Sequence, residues 1–498
     1  MNERLADDNY AGNSFLDCAL EIAPTIETLE GRSEVISLVA VKYAESGQLE
    51  VAVDLTETIN DSYLRDQALA SIAAKCIEAG DGDFADSVSE MIEDETAYAL
   101  ATEQMAVAYF ESGAFEKSIE VAHRLTESGP TLSRIALAYV AGGFPVQALE
   151  IARSIDYADL KAPVLVELAA KALQDGRQPE AAELLLEATK VVEEIEFSEQ
   201  RTSALVAIAS LNKECGQAEQ ALEVLSRAHL LCSESEDRSK DSDLAQIAGG
   251  FAELQRYEQA DQLIEEIENP FQFAHATAKV ALEYYRAGDS ARALTLLAQA
   301  VEIVRGEDVY GELSLMMRES LLDQLAISYA LVGHYEEAIQ VTGWMNAKDQ
   351  QHRTLGEIAK LCVHSGNNSR AFQVTEMIKD NYARVLCEVE IVDAFMASEQ
   401  LALADHTLSE AFARTATIER AYLKASALME IAPRFAHREQ AAKAGEILFE
   451  ALTTLALIDD GYRQSQALIN LAGKYLELGL EAGEREQAVL EEITRKLD

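Results

Sequence analysis

The chain is poor in cations. Lys and Arg number 41 against 87 Asp and Glu in 498 residues, a formal net charge of −46. Nucleic acids and anionic lipid surfaces are held through Lys and Arg, so the balance argues against both as partners. The 16 Lys and 25 Arg would have to be locally concentrated to reverse that reading. Cysteine is scarce as well. Six cysteines, widely spaced and without a CxxC pair, make no disulfide framework, and a reducing interior fits best. No apolar run approaches the ~18 residues of a membrane span. The opening residues, MNERLADDNYAGN, are acidic and lack a basic stretch followed by an apolar core, so no signal peptide is expected. These absences point to a cytoplasmic protein. Seven prolines and 49% hydrophobic residues also exclude a disordered acidic tail.

The usual signatures of catalysis and metal binding are missing too. Eight histidines are scattered, and no HExxH, HxH or His/Cys cluster has ligand spacing. Cys215 and Cys232 would need two further ligands to hold zinc. The acidic stretches at 78–86 and 241–249 lack the register of a calcium loop. The paired aspartates Asp7/Asp8 and Asp459/Asp460 have no third acidic residue at magnesium spacing, and no glycine loop precedes Lys-Ser or Lys-Thr. The expectation is a chain that is not an enzyme and carries neither cofactor nor metal.

What the sequence has in abundance is internal repetition. Taking Gly47 as an anchor, equivalents recur at Gly80, Gly113, Gly143, Gly176, Gly216, Gln255, Gly288, Gly333, Gly366, Glu399, Glu439 and Gly479, which makes 13 units. Seven residues before the anchor stands alanine, from Ala40 and Ala73 to Ala472, with Val392 the exception. The residue before that is aliphatic, as at Ile72, Leu168 and Ile431. Five residues after the anchor alanine recurs in eleven units, and Ser118 and Glu484 break the column. Four residues before the anchor an aromatic stands in nine units, among them Tyr43, Tyr109, Tyr139, Tyr284, Phe395, Phe435 and Tyr475. Cys76 and Cys362 fill the same column as core residues.

Apolar residues three and four apart mark an amphipathic helix before each anchor. Glycine sits where that helix must end and the chain reverse, because only glycine takes a left-handed C-cap without cost. A second helix follows, and its early alanine permits close approach. Pro130, Pro163 and Pro179 fall at expected helix starts. Pro433 lies inside a first helix and should kink it. Intervals between anchors run 33, 33, 30, 33, 40, 39, 33, 45, 33, 33, 40 and 40. A step of seven residues is about two helical turns, so longer second helices are expected in units 5 and 6, 8, and 11 and 12.

The small residue, aromatic, glycine and alanine at these offsets resemble the tetratricopeptide repeat over roughly residues 30–490. Ile-Ala stands where Leu-Gly is usual, and the closing proline is absent. The resemblance implies an all-α, right-handed superhelical solenoid of about 13 helix-turn-helix repeats. It also implies that a peptide or helix of a partner protein is held in the concave face, without catalysis. The division expected is a capping segment with one helix at 1–31, units 1–7 with an apolar groove at 32–269, units 8–11 with a polar groove at 270–408, and units 12–13 with a C-terminal capping helix at 409–498.

In this fold the groove is lined chiefly by the residues ten and six positions before each anchor. Pairs such as Ser37/Val41, Ala70/Ala74, Glu103/Val107 and Ala245/Gly249 make the first seven units apolar, without the cations a chaperone-tail clamp needs. From unit 8 charge of both signs gathers: His275, Lys279, Arg286, Asp323, Arg353, Glu357, Lys360, His364, Glu390 and Asp393. Two readings stand side by side. Either Lys279, Arg286, Arg353 and Lys360, with His275, Asp323 and Asp393, form the partner site, or this inner face is solvated and self-paired. A further basic column lies fifteen positions before the anchor, at Arg32, Arg65, Lys161, Arg201, Lys240, Arg318, Arg384 and Lys424. Inter-unit ion pairs are expected there, with Asp61 and Asp380 placed one helical turn ahead of Arg65 and Arg384. Alternative functions are an acidic assembly scaffold that self-associates through its long helices, or a regulatory or sensor subunit of a larger complex. Adaptation to high intracellular salt would also produce this acidity.

Overall fold

A computed structural model describes residues 13–124, 129–234, 239–305 and 315–497, and among them the chain is helical with no strand. It is an all-α tandem of two-helix units. The backbone adopts positive φ at Gly47, Gly80, Gly113, Gly143, Gly176, Gly216, Gly288, Gly333, Gly366 and Gly479, and at Gln255, Glu399 and Glu439. These are the 13 anchors. After each of them the next N–H bonds back to the carbonyl of the residue four before the anchor, as in Gln48 to Tyr43 (2.9 Å), Gln217 to Asn212 (2.8 Å) and Leu480 to Tyr475 (2.9 Å). That bond, with the anchor N–H bonded three residues back, is the Schellman closure of a helix C-terminus. Nothing crowds the anchor glycines within 4 Å, so the preference for glycine there is purely conformational.

First helices are uniform. All but those of units 4 and 7 share one length, 17 residues, as in Leu29–Glu45, Ser62–Glu78 and Gly461–Glu477. Variation in interval therefore falls on the second helices. Those of units 5, 6, 8, 11 and 12 are Gln178–Val192, Ala218–Glu234, Ser290–Arg305, Leu401–Thr415 and Ala441–Leu455. The shortest of them have 15 residues and the longest 17 residues, against 8 residues in units 1–3. The two alanine columns are almost wholly inaccessible, Ala472 at 4% being the most exposed. Ser118 breaks its column at no cost because its hydroxyl donates to the Ala106 carbonyl at 2.7 Å. The aromatic column reaches the second helix of the preceding unit: the Tyr284 hydroxyl donates to Asp261 at 3.0 Å.

Pro130 and Pro179 stand in the first turns of their helices, but Pro163 does not. It lies inside Ala158–Gln174, a turn past the start. The Tyr157 carbonyl accepts from Leu160 and Lys161 and so begins the helix earlier. Pro433 does lie within a first helix, Ala421–His437, which continues through it.

The chain divides into two compact units, one of Met1–Thr126 with Glu376–Asp498, the other of Glu127–Thr375. The segments expected from the sequence, divided at 31, 269 and 408, were drawn on capping and groove polarity, a different criterion from compactness. Within the first compact unit the two ends of the chain meet. The N-terminal helix Asn13–Ile22 does not simply cap unit 1; it packs along the first helix of unit 13, Gly461–Glu477. Ser465 donates to the Ala19 carbonyl (3.4 Å), and the Phe15 and Tyr475 rings lie 4.8 Å apart. A side chain at Gly461 would meet Thr25 Oγ1 at 2.7 Å. Ala19 thus takes the seat left where Glu484 breaks the alanine column.

Two outcomes are expected. Replacing Gln255, Glu399 or Glu439 with glycine relieves about 0.5–1 kcal/mol of left-handed strain each, whereas Gly216→Ala costs a similar amount; urea midpoints measure both. Deleting residues 1–28 uncovers one side of Gly461–Glu477, and hydrogen exchange across that helix should rise while Ala158–Gln174 keeps its protection. Unchanged exchange would show that the terminal contact contributes nothing.

Candidate functional site

First helices bury three sides and leave one open. The open stripe falls thirteen, nine, six and two positions before the anchor, as the exposed Arg353, Glu357 and His364 with half-buried Lys360 show for Lys348–His364. The position ten before the anchor, expected to line a groove, is instead largely closed between neighbouring first helices. Ala70, Ala245 and Ala278 are at most 1% exposed, and Glu103 and Ser133 8%. One residue along a helix is a rotation of about 100°, which separates this buried column from the exposed one beside it.

The charged residues of units 8–10 stand on or beside this stripe, and most have local partners. Arg286 pairs with Glu283, Lys360 Nζ lies 2.6 Å from Glu357, and Arg353 donates to Gln350 at 2.6 Å. His275 Nδ1 meets Gln324 Oε1 at 2.7 Å, His364 Nδ1 meets the Lys360 carbonyl at 2.8 Å, and Asp323 accepts from Thr354 at 2.5 Å. Lys279 lays its stem across Gly249, where a Cβ would sit 2.6 Å from the lysine Cε, and its residue is exposed. Asp393 is held by Arg434 at 2.8 Å. It belongs to the other compact unit, together with the exposed Glu390. The structure therefore places six of the seven candidate residues on one compact unit.

The basic column acts differently from expectation. Asp61 and Asp380 are helix N-caps, accepting from Leu64 and Ala383. Arg65 pairs with Asp66 (3.0 Å) and Glu93 (3.4 Å), Arg384 with Glu388 (3.1 Å), and Lys424 with Glu450 (2.8 Å). Arg32, Arg201 and Arg318 donate to the carbonyls of Ile26, Ile195 and Trp344, which lie just past helix C-termini. The adjacent column, fourteen before the anchor, was not recognised in the sequence and carries the inter-unit link. Asp66 accepts the N–H groups of Glu93 and Asp94 (3.0 and 2.8 Å), Glu319 those of Asn346 and Ala347, and Asp241 that of Asn269. Each ties one unit to the unsatisfied N–H groups opening the next first helix. Its signal was an intermittent Asp, Glu or Ser beside the basic column.

Cys76, Cys232 and Cys362 are buried free thiols. Burial pushes the Cys76 thiol up to about 12 and those of Cys232 and Cys362 up to about 11, away from the reactive thiolate. Among the described residues, no group of three His, Cys, Asp or Glu is arranged to hold a metal ion, and no helix is long and apolar enough to cross a membrane. Asp460 is an N-cap, and Asp7 and Asp8 lie outside the described residues. Asp243 is the most enclosed carboxyl among the described residues. It is fully buried, and it accepts from Ser198 at 2.7 Å. Desolvation raises its pKa against the lowering effect of Ser198 and Thr202, with Glu199 raising and Arg201 lowering it further. A carboxyl whose folded pKa is raised keeps its proton after the unfolded chain has lost it, so stability falls as pH climbs from the unfolded value through the folded one. Asp243→Asn removes that loss. The variant should gain stability over the wild type above that window and lose the advantage below pH ~3.8, as urea titrations across pH will measure.

No family model and no curated protein matches the chain. Solved structures with some likeness include Ton1535 from Thermococcus onnurineus NA1, at 14% identity over 74% of this chain and 98% of that one, TM-score 0.27. A human IFIT1 dimer with PPP-AAAA matches at 15% identity over 90% and 95%, TM-score 0.29. A Rap protein complexed with competence and sporulation factor matches at 14% over 79% and 98%, TM-score 0.27. At that level of superposition they say nothing of what this chain binds.

Proposed function

We propose that this chain is a non-catalytic, cytoplasmic scaffold that holds an acidic peptide or helix of a partner protein on the open face of its first helices. The observation carrying this reading is the placement of Lys279, Arg286 and Arg353, exposed, beside Lys360 on units 8–10 of a chain whose net charge is −46. Arg286 and Arg353 bond to Glu283 and Gln350, side chains one turn away on the same helix, and surface pairs of this kind are worth only ~0–1 kcal/mol. An incoming carboxylate can displace them at little cost. Opposite charge then steers the encounter. The overall acidity opposes phosphate-rich partners by the same electrostatics. The buried, protonated thiols support a binding role over a nucleophilic one.

Arg353→Glu combined with Lys360→Glu tests the reading, since both residues lie on the open stripe and neither holds the core. Affinity purification from the native host, with mass spectrometry, should lose its specific partner in the double variant while retaining material bound elsewhere. Equal recovery from both proteins would refute an electrostatic site in units 8–10.

A further inference from the structure

The second helices carry a separate feature. The last helix, Glu484–Arg495, packs against the second helix of unit 12 and against Asn13–Ile22, more than against the first helix of its own unit. Arg485 bonds Glu446 at 2.8 Å and lies 4.4 Å over the Phe449 ring, and Lys496 reaches the Ala456 carbonyl at 3.3 Å. It therefore runs alongside Ala441–Leu455, burying Leu490 and Ile493 to 4% and 2% exposure. Since Asn13–Ile22 fills the second-helix seat of unit 13, the chain itself shows an amphipathic helix lodged between two successive second helices.

Units 5 and 6 present the same arrangement with the groove open. Their long second helices, Gln178–Val192 and Ala218–Glu234, flank the first helix of unit 6, and a cavity of about 830 Å³ opens there. Leu186, Val192, Leu205, Val224 and Leu230 supply apolar walls and Arg227 a cation. Leu186 is 60% exposed and Leu230 48%. The other consecutive pair of long second helices, in units 11 and 12, is filled from within. Lys443 Nζ stands 3.8 Å over the Phe435 ring and 5.5 Å over Phe412, and the two rings meet edge-on at 6.1 Å. Length alone therefore does not leave a gap; the side chains at units 5 and 6 do.

We infer that the groove between the second helices of units 5 and 6 receives an amphipathic helix of a partner protein. Its length is about three turns, matching Glu484–Arg495 with its 12 residues. Aliphatic side chains three apart, as Leu490 and Ile493 are, enter between Leu186, Leu205 and Leu230. A carboxylate faces Arg227, which is exposed and makes no ion pair among the described residues. Glu183, Glu193 and Glu223 also border the cavity, so the helix carries basic residues on its other flank and is not acidic throughout. This is helix-in-groove recognition on a face distinct from the open stripe of the first helices.

The test uses the full-length chain and a stapled, fluorescein-labelled peptide with the sequence of residues 484–496, which has the required aliphatic spacing and mixed charge. Fluorescence anisotropy should show saturable binding. Leu186→Glu with Leu230→Glu should weaken it at least tenfold, with circular dichroism and thermal midpoint unchanged because both leucines are exposed. Arg227→Glu should weaken it less and flatten its dependence on salt. Absence of saturable binding overturns the inference, as does binding indifferent to the leucine pair. Loss confined to Arg353→Glu with Lys360→Glu would place the peptide on the first helices, overturning this inference while supporting the proposed function. Loss in the leucine pair alone leaves the proposed function to its own test.

Discussion

The reversal at each anchor is the constraint on which the other contacts depend. One residue enters the left-handed region, and the following N–H closes on the carbonyl four before it. The carbonyl belongs to the aromatic column, so one residue serves two connections. Its backbone ends the first helix, and its side chain extends to the second helix of the preceding unit, as Tyr284 does to Asp261, or to the helix standing in that place, as Tyr43 does to Asp17. Reversal within a unit and stacking between units are thereby set by the same residue. Where the column holds Ala172 or Asn212, the backbone closure persists without an aromatic, and neighbours must supply the packing.

With that reversal in place, second helices can vary while first helices cannot. First helices are buried against their own second helix, the preceding one, and first helices on either side. A change in their length would disturb all of these neighbours. A second helix lengthened by two turns extends beyond the shared core, keeping its buried stripe in register. Where long second helices follow one another, in units 5 and 6 and in units 11 and 12, they create new surface in pairs. Units 11 and 12 close theirs with Phe412, Phe435 and Lys443, whereas units 5 and 6 leave leucines exposed.

Most of the fold was legible because its signals are local. The anchor, the alanines and the aromatic all fall within one helix, its turn and the start of the next, inside the reach of helical periodicity. The meeting of the termini was not legible in that way. Ser465 and the Ala19 carbonyl are 446 residues apart, and no periodicity spans such a separation. Two weak signs existed. Glu484 breaks the alanine column, and Ala19 followed by Ile22 repeats the spacing of Ala52 and Leu55 or Ala85 and Val88. The candidate site was legible in composition but not in pairing. Sequence placed His275, Lys279, Arg353 and Lys360 along helices, whereas their partners depend on rotamers and on neighbours such as Gln324 and Gly249. The column ten before the anchor was misplaced by a single residue because small side chains suit both a groove and a close helix contact.

The net charge of −46 takes on a different meaning once the carboxylates are located. Asp61, Asp81, Asp94, Asp380 and Asp460 accept backbone N–H groups at helix starts, and Asp66, Asp241 and Glu319 accept those opening the following unit. A carboxylate at a helix N-terminus is stabilised by the partial positive charge there and needs no lysine or arginine partner. A two-helix repeat offers such a position at every turn of the chain, so it accommodates acidic residues structurally where a sheet would not. The cations are then few enough that their placement matters. Several close second-helix C-termini from the basic column, leaving Lys279, Arg286 and Arg353 on the open stripe and Arg227 beside a leucine-walled groove. At the proposed sites, association at the first face would be governed by opposite charge and weaken with salt, whereas association at the second would be governed by apolar burial and retain most of its strength. Ionic strength would therefore separate the two proposed faces, without any change to the chain.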